Sequence, residues 1–225
     1  MKARTSLKGG YLLLLVVVLF AIISDAQAIT IGLPATGGNC FPFGGSYYAN
    51  PTRYQQVYAS SEFSGSIGIM AIQFFKYSGN NLNSGTYVLS LSSTSKAVNG
   101  LNLSNFDDNL GPDNQLFTTQ VLTGGLAPAT LTFHGNTFHY DPTMGNLLLD
   151  IQISGFVQST SSSFFQARNG DAGGVFSRAH NFGTGFNNFG LVTEFVPIPE
   201  PSTLLLLGSG LLGLGVISRL RRKKK

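Results

Sequence analysis

Between Ile29 and Ile198 no stretch keeps a 3.6-residue apolar period for three turns, and this rules out a helical body for the chain. What recurs instead is short runs rich in β-branched and aromatic residues, separated by Gly, Asn, Asp and Pro clusters. "TYVLSLSSTS" alternates, with Tyr87, Leu89 and Leu91 facing one way and Thr86, Ser90 and Ser92 the other. "SGSIGIMAIQFFKYSG" is apolar on both faces. Ile67, Ile69 and Ala71 fall on one side and Met70, Ile72 and Phe74 on the other, as in a strand buried on both sides. "QLFTTQVLTGG", "TLTFHGNTFHY", "NLLLDIQISGF" and "FGLVTEFVP" add strands, and "RYQQVYAS" and "SSFFQAR" add two more. "LNLSNFDDN" is the best helix candidate and reads better as a loop. Eight to ten short strands at this spacing predict an all-β domain, a β-sandwich with jelly-roll topology, over residues 29–196.

Both ends of the 225-residue chain carry membrane-directed segments. "MKARTSLKGG" supplies Lys2, Arg4 and Lys8, followed by the apolar run Tyr11–Ile23 and an Ala-x-Ala ending at Ala26 and Ala28. That order predicts a signal peptide over residues 1–28, cut after Ala28. The alternative, an uncut anchor helix, is disfavoured because the apolar run falls short of the ~20 residues that a bilayer requires. At the other end, residues 202–218 contain no charge. As a helix they rise about 25 Å, a marginal membrane span. Arg219, Arg221, Arg222, Lys223, Lys224 and Lys225 follow as a stop-transfer cluster that holds residues 219–225 in the cytoplasm. The predicted precursor is therefore tethered to the inner membrane with its body exported.

The formal charge of +4 misleads about partners. Residues 29–198 hold five basic side chains (Arg53, Lys76, Lys96, Arg168, Arg178). Eight acidic ones oppose them (Glu62, Asp107, Asp108, Asp113, Asp141, Asp150, Asp171, Glu194). The body is mildly acidic and the basic charge sits in the terminal segments, so no nucleic-acid partner is expected. Cys40 is the single cysteine, which excludes an intramolecular disulfide. It lies too far from the apolar run to be a lipoprotein cysteine, and of the two remaining readings, a buried thiol or a cross-link between two molecules, the apolar "NCFPFGG" favours the first.

Between body and span lies "VPIPEP", residues 197–201 with Val196 ahead of them. Each proline fixes φ near −65°, lacks an N–H and pushes the residue before it into an extended conformation. Pro199, Glu200 and Pro201 thus form a stiff extended peptide at the membrane boundary with one charged handle. Ser202 and Thr203 then suit the N-cap of the span. The tail from Pro199 to Lys225 resembles the PEP-CTERM sorting signal of Gram-negative bacteria: a Pro-Glu-Pro motif, a Gly/Leu-rich span and a terminal basic cluster, in that order. The same type of tail is also labelled an ice-binding protein C-terminal domain, a label that concerns the tail alone. The resemblance implies processing by exosortase, an integral-membrane cysteine transpeptidase-like enzyme, and an association with exopolysaccharide production. An ordinary single-pass anchor explains the span and its basic stop but not the Pro-Glu-Pro.

The body's phrasing ("GNCFPFGG", "RYQQVYASSEFSG", "GPDNQLF", "FHYDPTMGNLLLDI") is similar to a recurrent secreted β-domain that comes joined to this kind of tail. That resemblance implies architecture and export but no activity. Relatives often carry a second cysteine shortly after the first; Gly44 and Gly45 stand here instead.

Signs of chemistry in the body are sparse. His134 and His139, five apart in one strand, face opposite ways unless a bulge intervenes, and His180 has no acidic neighbour in sequence. Asp107, Asn109 and Asp113 around Gly111 echo a calcium loop, but Thr118 stands where the bidentate Glu belongs. The same residues are what any turn uses, and a plain turn is the favoured reading. Asp150 and Glu194 are the acids on strands that a glycoside hydrolase could pair. No nucleophile elbow, phosphate loop or Cys/His arrangement is present. We therefore expect no catalytic residues, no metal and no cofactor. For contact with an extracellular polysaccharide the available rings are Tyr47, Tyr48, Tyr54, Tyr58, Tyr77, Phe182, Phe186 and Phe189, although the reading we favour for them is that they cap the sandwich core. The segment "FFQARNGDAGGVFSRAHNFGTGFNNFG" is expected to form a long surface loop.

Overall fold

The computed structural model describes residues 27–45, 52–168, 174–181 and 189–199. The expected span at 202–218 and basic tail at 219–225 lie outside the described residues, as does the expected signal peptide up to Ala26. Among the described residues no helix is long and apolar enough to cross a membrane.

Twelve strands follow in order among the described residues: β1 (Ile29–Ile31), β2 (Gly37–Asn39), β3 (Arg53–Tyr58), β4 (Ile67–Gly79), β5 (Ser84–Thr94), β6 (Gln115–Thr123), β7 (Thr130–Tyr140), β8 (Asn146–Val157), β9 (Ser163–Arg168), β10 (Phe176–His180), β11 (Gly190–Leu191) and β12 (Thr193–Pro197). They form two antiparallel sheets. One has five strands in the order β10-β3-β8-β5-β6. The other has seven, in the order β1-β12-β4-β9-β11, with β7 also on β4 and β2 also on β9. From β6 to β10 the chain changes sheet at every strand.

The two sheets share one core, as in a β-sandwich. Tyr87, Leu89 and Leu91 of β5 enter it together, as their alternation predicts. Phe43, from "NCFPFGG", is fully buried and bridges the layers. Its ring centroid lies 4.9 Å from Phe74, 5.3 Å from Phe133 and 5.6 Å from Phe165 in the seven-stranded sheet. Tyr87 of the five-stranded sheet is 5.6 Å away. Cys40, just upstream, is a free thiol and half-buried rather than buried, because Phe41 and Phe43 take the interior positions.

Two strands depart from the expected phase. In β4 the core takes Ile69, Ile72 and Phe74 together, although Ile69 and Ile72 are three apart. The β12–β4 register shifts between Val196 and Pro197, where Ile69 follows Ala71 with one residue skipped. The bulge flips the alternation, so the assignment of Ile69 and Ile72 to opposite faces is wrong. β7 carries a matching irregularity, with Ile69 opposite Phe138 but Ala71 opposite His134. Phe133 and Phe138 both reach the core across it, and His134 and His139 both end on the exposed side. The bulge that could defeat the opposite-face expectation is present.

Of the segment 164–190, expected as one long loop, the described residues are largely strand. It contains the end of β9, all of β10 and the start of β11, and Phe176, Ser177 and Ala179 are buried. The cause is pairing across the sheet, with Phe176 opposite Tyr58 and His180 opposite Tyr54. "LNLSNFDDN" is a loop, as expected, with one 3-10 turn at Phe106–Asn109 capped by the Asn105 side chain.

Candidate functional site

Two places gather the residues that the sequence singles out: the outer face of the five-stranded sheet, and the point where the chain leaves β12. The first is built on β3 and β8. Tyr54, Gln56 and Tyr58 of β3 point inward, which leaves Arg53, Gln55 and Val57 on the outer face. The segment 95–114 lies across that face. Leu101 and Phe106, with Leu110 partly buried beside them, pack on Val57, Leu148 and Ala179 as a second, smaller apolar cluster.

Beside this cluster sits a charged pair. Arg53 donates from Nε to Asp150 Oδ1 at 2.9 Å and from Nη2 to Oδ2 at 3.0 Å. Its Nη1 donates to Asp107 Oδ1 at 2.7 Å. Its guanidinium carbon lies 5.8 Å from the centre of the Phe106 ring. Asp150 is 2% exposed and also accepts from Gln55 Nε2 at 3.1 Å and Gln152 Nε2 at 3.4 Å. Burial pulls the Arg53 guanidinium down, but the hydrogen bonds and charge of Asp150, then of Asp107, outweigh it and hold it above its ordinary value. Gln55 continues the network to Phe106 O and Asn109, and Asn109 Nδ2 also reaches Asn102 O.

This geometry fixes the chemistry available. The Asp150 oxygens are occupied by guanidinium and amide donors under a cover of chain, an arrangement that pins segment 95–114 to the sheet. Glu194 lies on the other sheet, half-buried, and accepts the Thr30 hydroxyl at 2.8 Å. The two strand acids are not brought to one cleft. The calcium-like loop residues also disperse. Asp107 goes to Arg53, Asn109 is buried against Gln55, and Asp113 accepts the Ser93 amide at 2.7 Å. Among the described residues no group of three or more His, Cys, Asp or Glu side chains is placed to hold a metal.

Of the rings proposed for sugar contact, Tyr54 and Tyr58 are fully buried in the core and cannot stack on a ligand. Burial lifts the Tyr54 phenol to about 12 despite the nearby Arg178 charge, and lifts Tyr58 well above its usual value. Phe189 is buried too, with the Arg178 guanidinium 4.0 Å from its ring centre. Tyr77 is exposed. Tyr47, Tyr48, Phe182 and Phe186 lie outside the described residues. The Arg53–Asp150 pair escapes sequence reading because its members are 97 positions apart. One signal was available: Asp150 is the only charge in "NLLLDIQI".

The second place is the exit of the chain. β12 lies between β1 and β4, with Ile29 opposite Phe195 and Val196 opposite Ala71. Ile198 donates its N–H to Gly68 O at 2.8 Å. Its side chain lies over Gly68, where an added Cβ would meet Ile198 Cδ1 at 2.9 Å. Pro199 is the next residue and is exposed. Glu200, Pro201 and the cluster Arg219, Arg221, Arg222, Lys223, Lys224 and Lys225 lie outside the described residues. So does Ala26 of the expected cleavage site, while Ala28 is exposed.

Fold and exit together define an all-β domain of two antiparallel sheets whose last described residue is Pro199. Residues 197–223 match the PEP-CTERM protein-sorting motif. The chain carries that motif, which is the mark of exported proteins processed by exosortase. No curated protein and no solved structure matches the chain.

Proposed function

We propose that the chain is the precursor of a cell-surface or exopolysaccharide-matrix protein with a structural or carbohydrate-contacting role. Residues 1–28 are its signal peptide, cut at Ala26-x-Ala28, and 202–218 its temporary membrane span. Pro199, Glu200 and Pro201 are what exosortase grips, and residues 219–225 are the cytoplasmic stop. The observation that carries this reading is the match of residues 197–223 to the sorting motif, directly after the last strand of the β-domain. The body supports a scaffold. Its strand orders β2-β9-β4-β7 and β3-β8-β5-β6 correspond to the two four-stranded sheets of a jelly roll, with β1, β10, β11 and β12 as additions. The acid on its five-stranded sheet serves an internal ion pair.

The body acts by presenting a surface and not by turnover. The test is to incubate the processed protein with exopolysaccharide from the producing cells. Retention on the polysaccharide with no release of reducing ends is expected. Release of sugar that stops in Asp150→Asn or Glu194→Gln would overturn this reading in favour of a hydrolase.

A further inference from the structure

Both membrane-directed segments join the β-domain at one end. β1 begins at Ile29, and its pairing places Ile29 beside Phe195, close to where β12 ends. The same end holds the start of β4 and the end of β7, since Ile67 is opposite Tyr140. Two loops complete it. Residues 59–66 and 141–145 are tied together by the Phe63–Tyr140 ring contact at 4.7 Å and by Tyr140 Oη donating to Gly145 O at 2.7 Å. Met144 is the prominent side chain here, 69% exposed on an otherwise small and polar loop. Glu62 and Asp141 are its acidic neighbours in the two loops.

The tether at this end is very short. Among the described residues the last backbone hydrogen bond is made by Ile198, and the charge-free run begins at Ser202. Three residues intervene, and even fully extended they reach only about 10 Å. The long axis of β4, thirteen residues, spans roughly 43 Å. Its far end is marked by Leu126, 81% exposed and bridged to Asn81. A domain on a leash a quarter of its own length cannot turn end over end.

We propose that the end formed by Ile198, residues 59–66 and residues 141–145 lies against the lipid surface while the chain is tethered, with Met144 at the interface. The proposal rests on reading residues 202–218 as a membrane span. The two acids give this end no attraction to anionic lipid. The short leash sets the orientation, and the exposed methionine is compatible with contact.

The experiment uses the full-length precursor with Cys40→Ser, so that a single new cysteine can carry an environment-sensitive fluorophore. Met144→Cys and Leu126→Cys are labelled separately and reconstituted in phosphatidylcholine vesicles that contain a lipid with a nitroxide near its headgroup. The Met144 label is expected to lose more than half its emission and the Leu126 label almost none. An insert of about eight Gly and Ser residues between Ile198 and Pro199, adding up to roughly 25 Å, restores most of the lost emission. Equal quenching at both positions, or none at either, in protein that stays with the vesicles through an alkaline wash overturns the orientation alone. Protein that is stripped from the vesicles by that wash overturns the membrane-span reading, and the proposal with it.

Discussion

The two faces of the five-stranded sheet are covered by different chemistry. Its inner face meets Phe43, Phe74, Phe133 and Phe195 across the sandwich, and its few polar groups, the Tyr54, Gln56 and Tyr58 side chains, bond to each other, to Thr193 and to the Leu191 backbone. Its outer face is covered by residues 95–114, and there a few apolar contacts share the task with Arg53, Asp150, Gln55 and Asn109. Apolar burial is non-directional, so the inner face is held by area and close packing. The outer cover has little apolar area of its own and is positioned by bonds with fixed directions. Asn99 N donates to Ser177 Oγ at 2.7 Å, and Asn146 Nδ2 donates to Lys96 O at 2.9 Å, which fasten the segment at further points. One cover is strong through bulk, the other specific through geometry.

Truncating the bridge between the layers should do the most damage. Phe43→Ala removes a ring that contacts both sheets, with an expected loss of about 3–5 kcal/mol in urea denaturation. A loss below about 1 kcal/mol would mean that the inner face does not depend on this plug. Asp150→Ala should cost less, about 2–3 kcal/mol, because it removes the bidentate partner of a guanidinium that is 17% exposed and leaves it only Asp107. The sharper test is the double variant Arg53→Met with Asp150→Leu. It should recover most of that stability, yet proteolysis should cut residues 95–114 faster than in the parent, since apolar packing does not restore the directional contacts. Recovery of protease resistance together with stability would erase the contrast between the two covers.

Alkaline titration separates the faces most gently. Tyr54 and Tyr58 line the inner face and are kept neutral by the fold, so the unfolded chain loses their phenol protons at lower pH than the native one. Stability from this source is fully present below about pH 10 and declines as the pH rises through about 12. Circular dichroism should show a cooperative loss of structure in that window. A flat signal through it would place these phenols in contact with water.

How much of this was legible beforehand varies from strand to strand. β5 shows its inward set, Tyr87, Leu89 and Leu91, because its ladder with β8 is regular over those residues. β4 and β7 hide theirs, because a bulge between Ile69 and Ile72 and another between Phe133 and Phe138 shift the period of two. β10 was missed because its short sequence "FSRAH" has no alternation to read and exists as a strand only through pairing with β3. The outer polar site was hidden more deeply still. A bidentate pair between positions 53 and 150 depends on strand order, which no local pattern encodes. For Tyr54 and Tyr58 the sequence left ligand contact open beside the favoured core-capping reading, because a tyrosine's phenol suits both a surface and a satisfied interior; burial bears out the second. Their hydroxyls in fact bond to Gln56 and Thr193 inside the core. The sorting motif, in contrast, was readable in full, since it is a contiguous string whose order carries its meaning.

The most direct test of the central claim is the intact mass of the protein recovered from the producing cells and their medium. The account predicts a product that begins at Ile29 and has lost Arg219–Lys225 with the span before them. A native product that still carries Lys223, Lys224 and Lys225 would contradict it, and would leave the β-domain as the outward part of a permanent membrane protein.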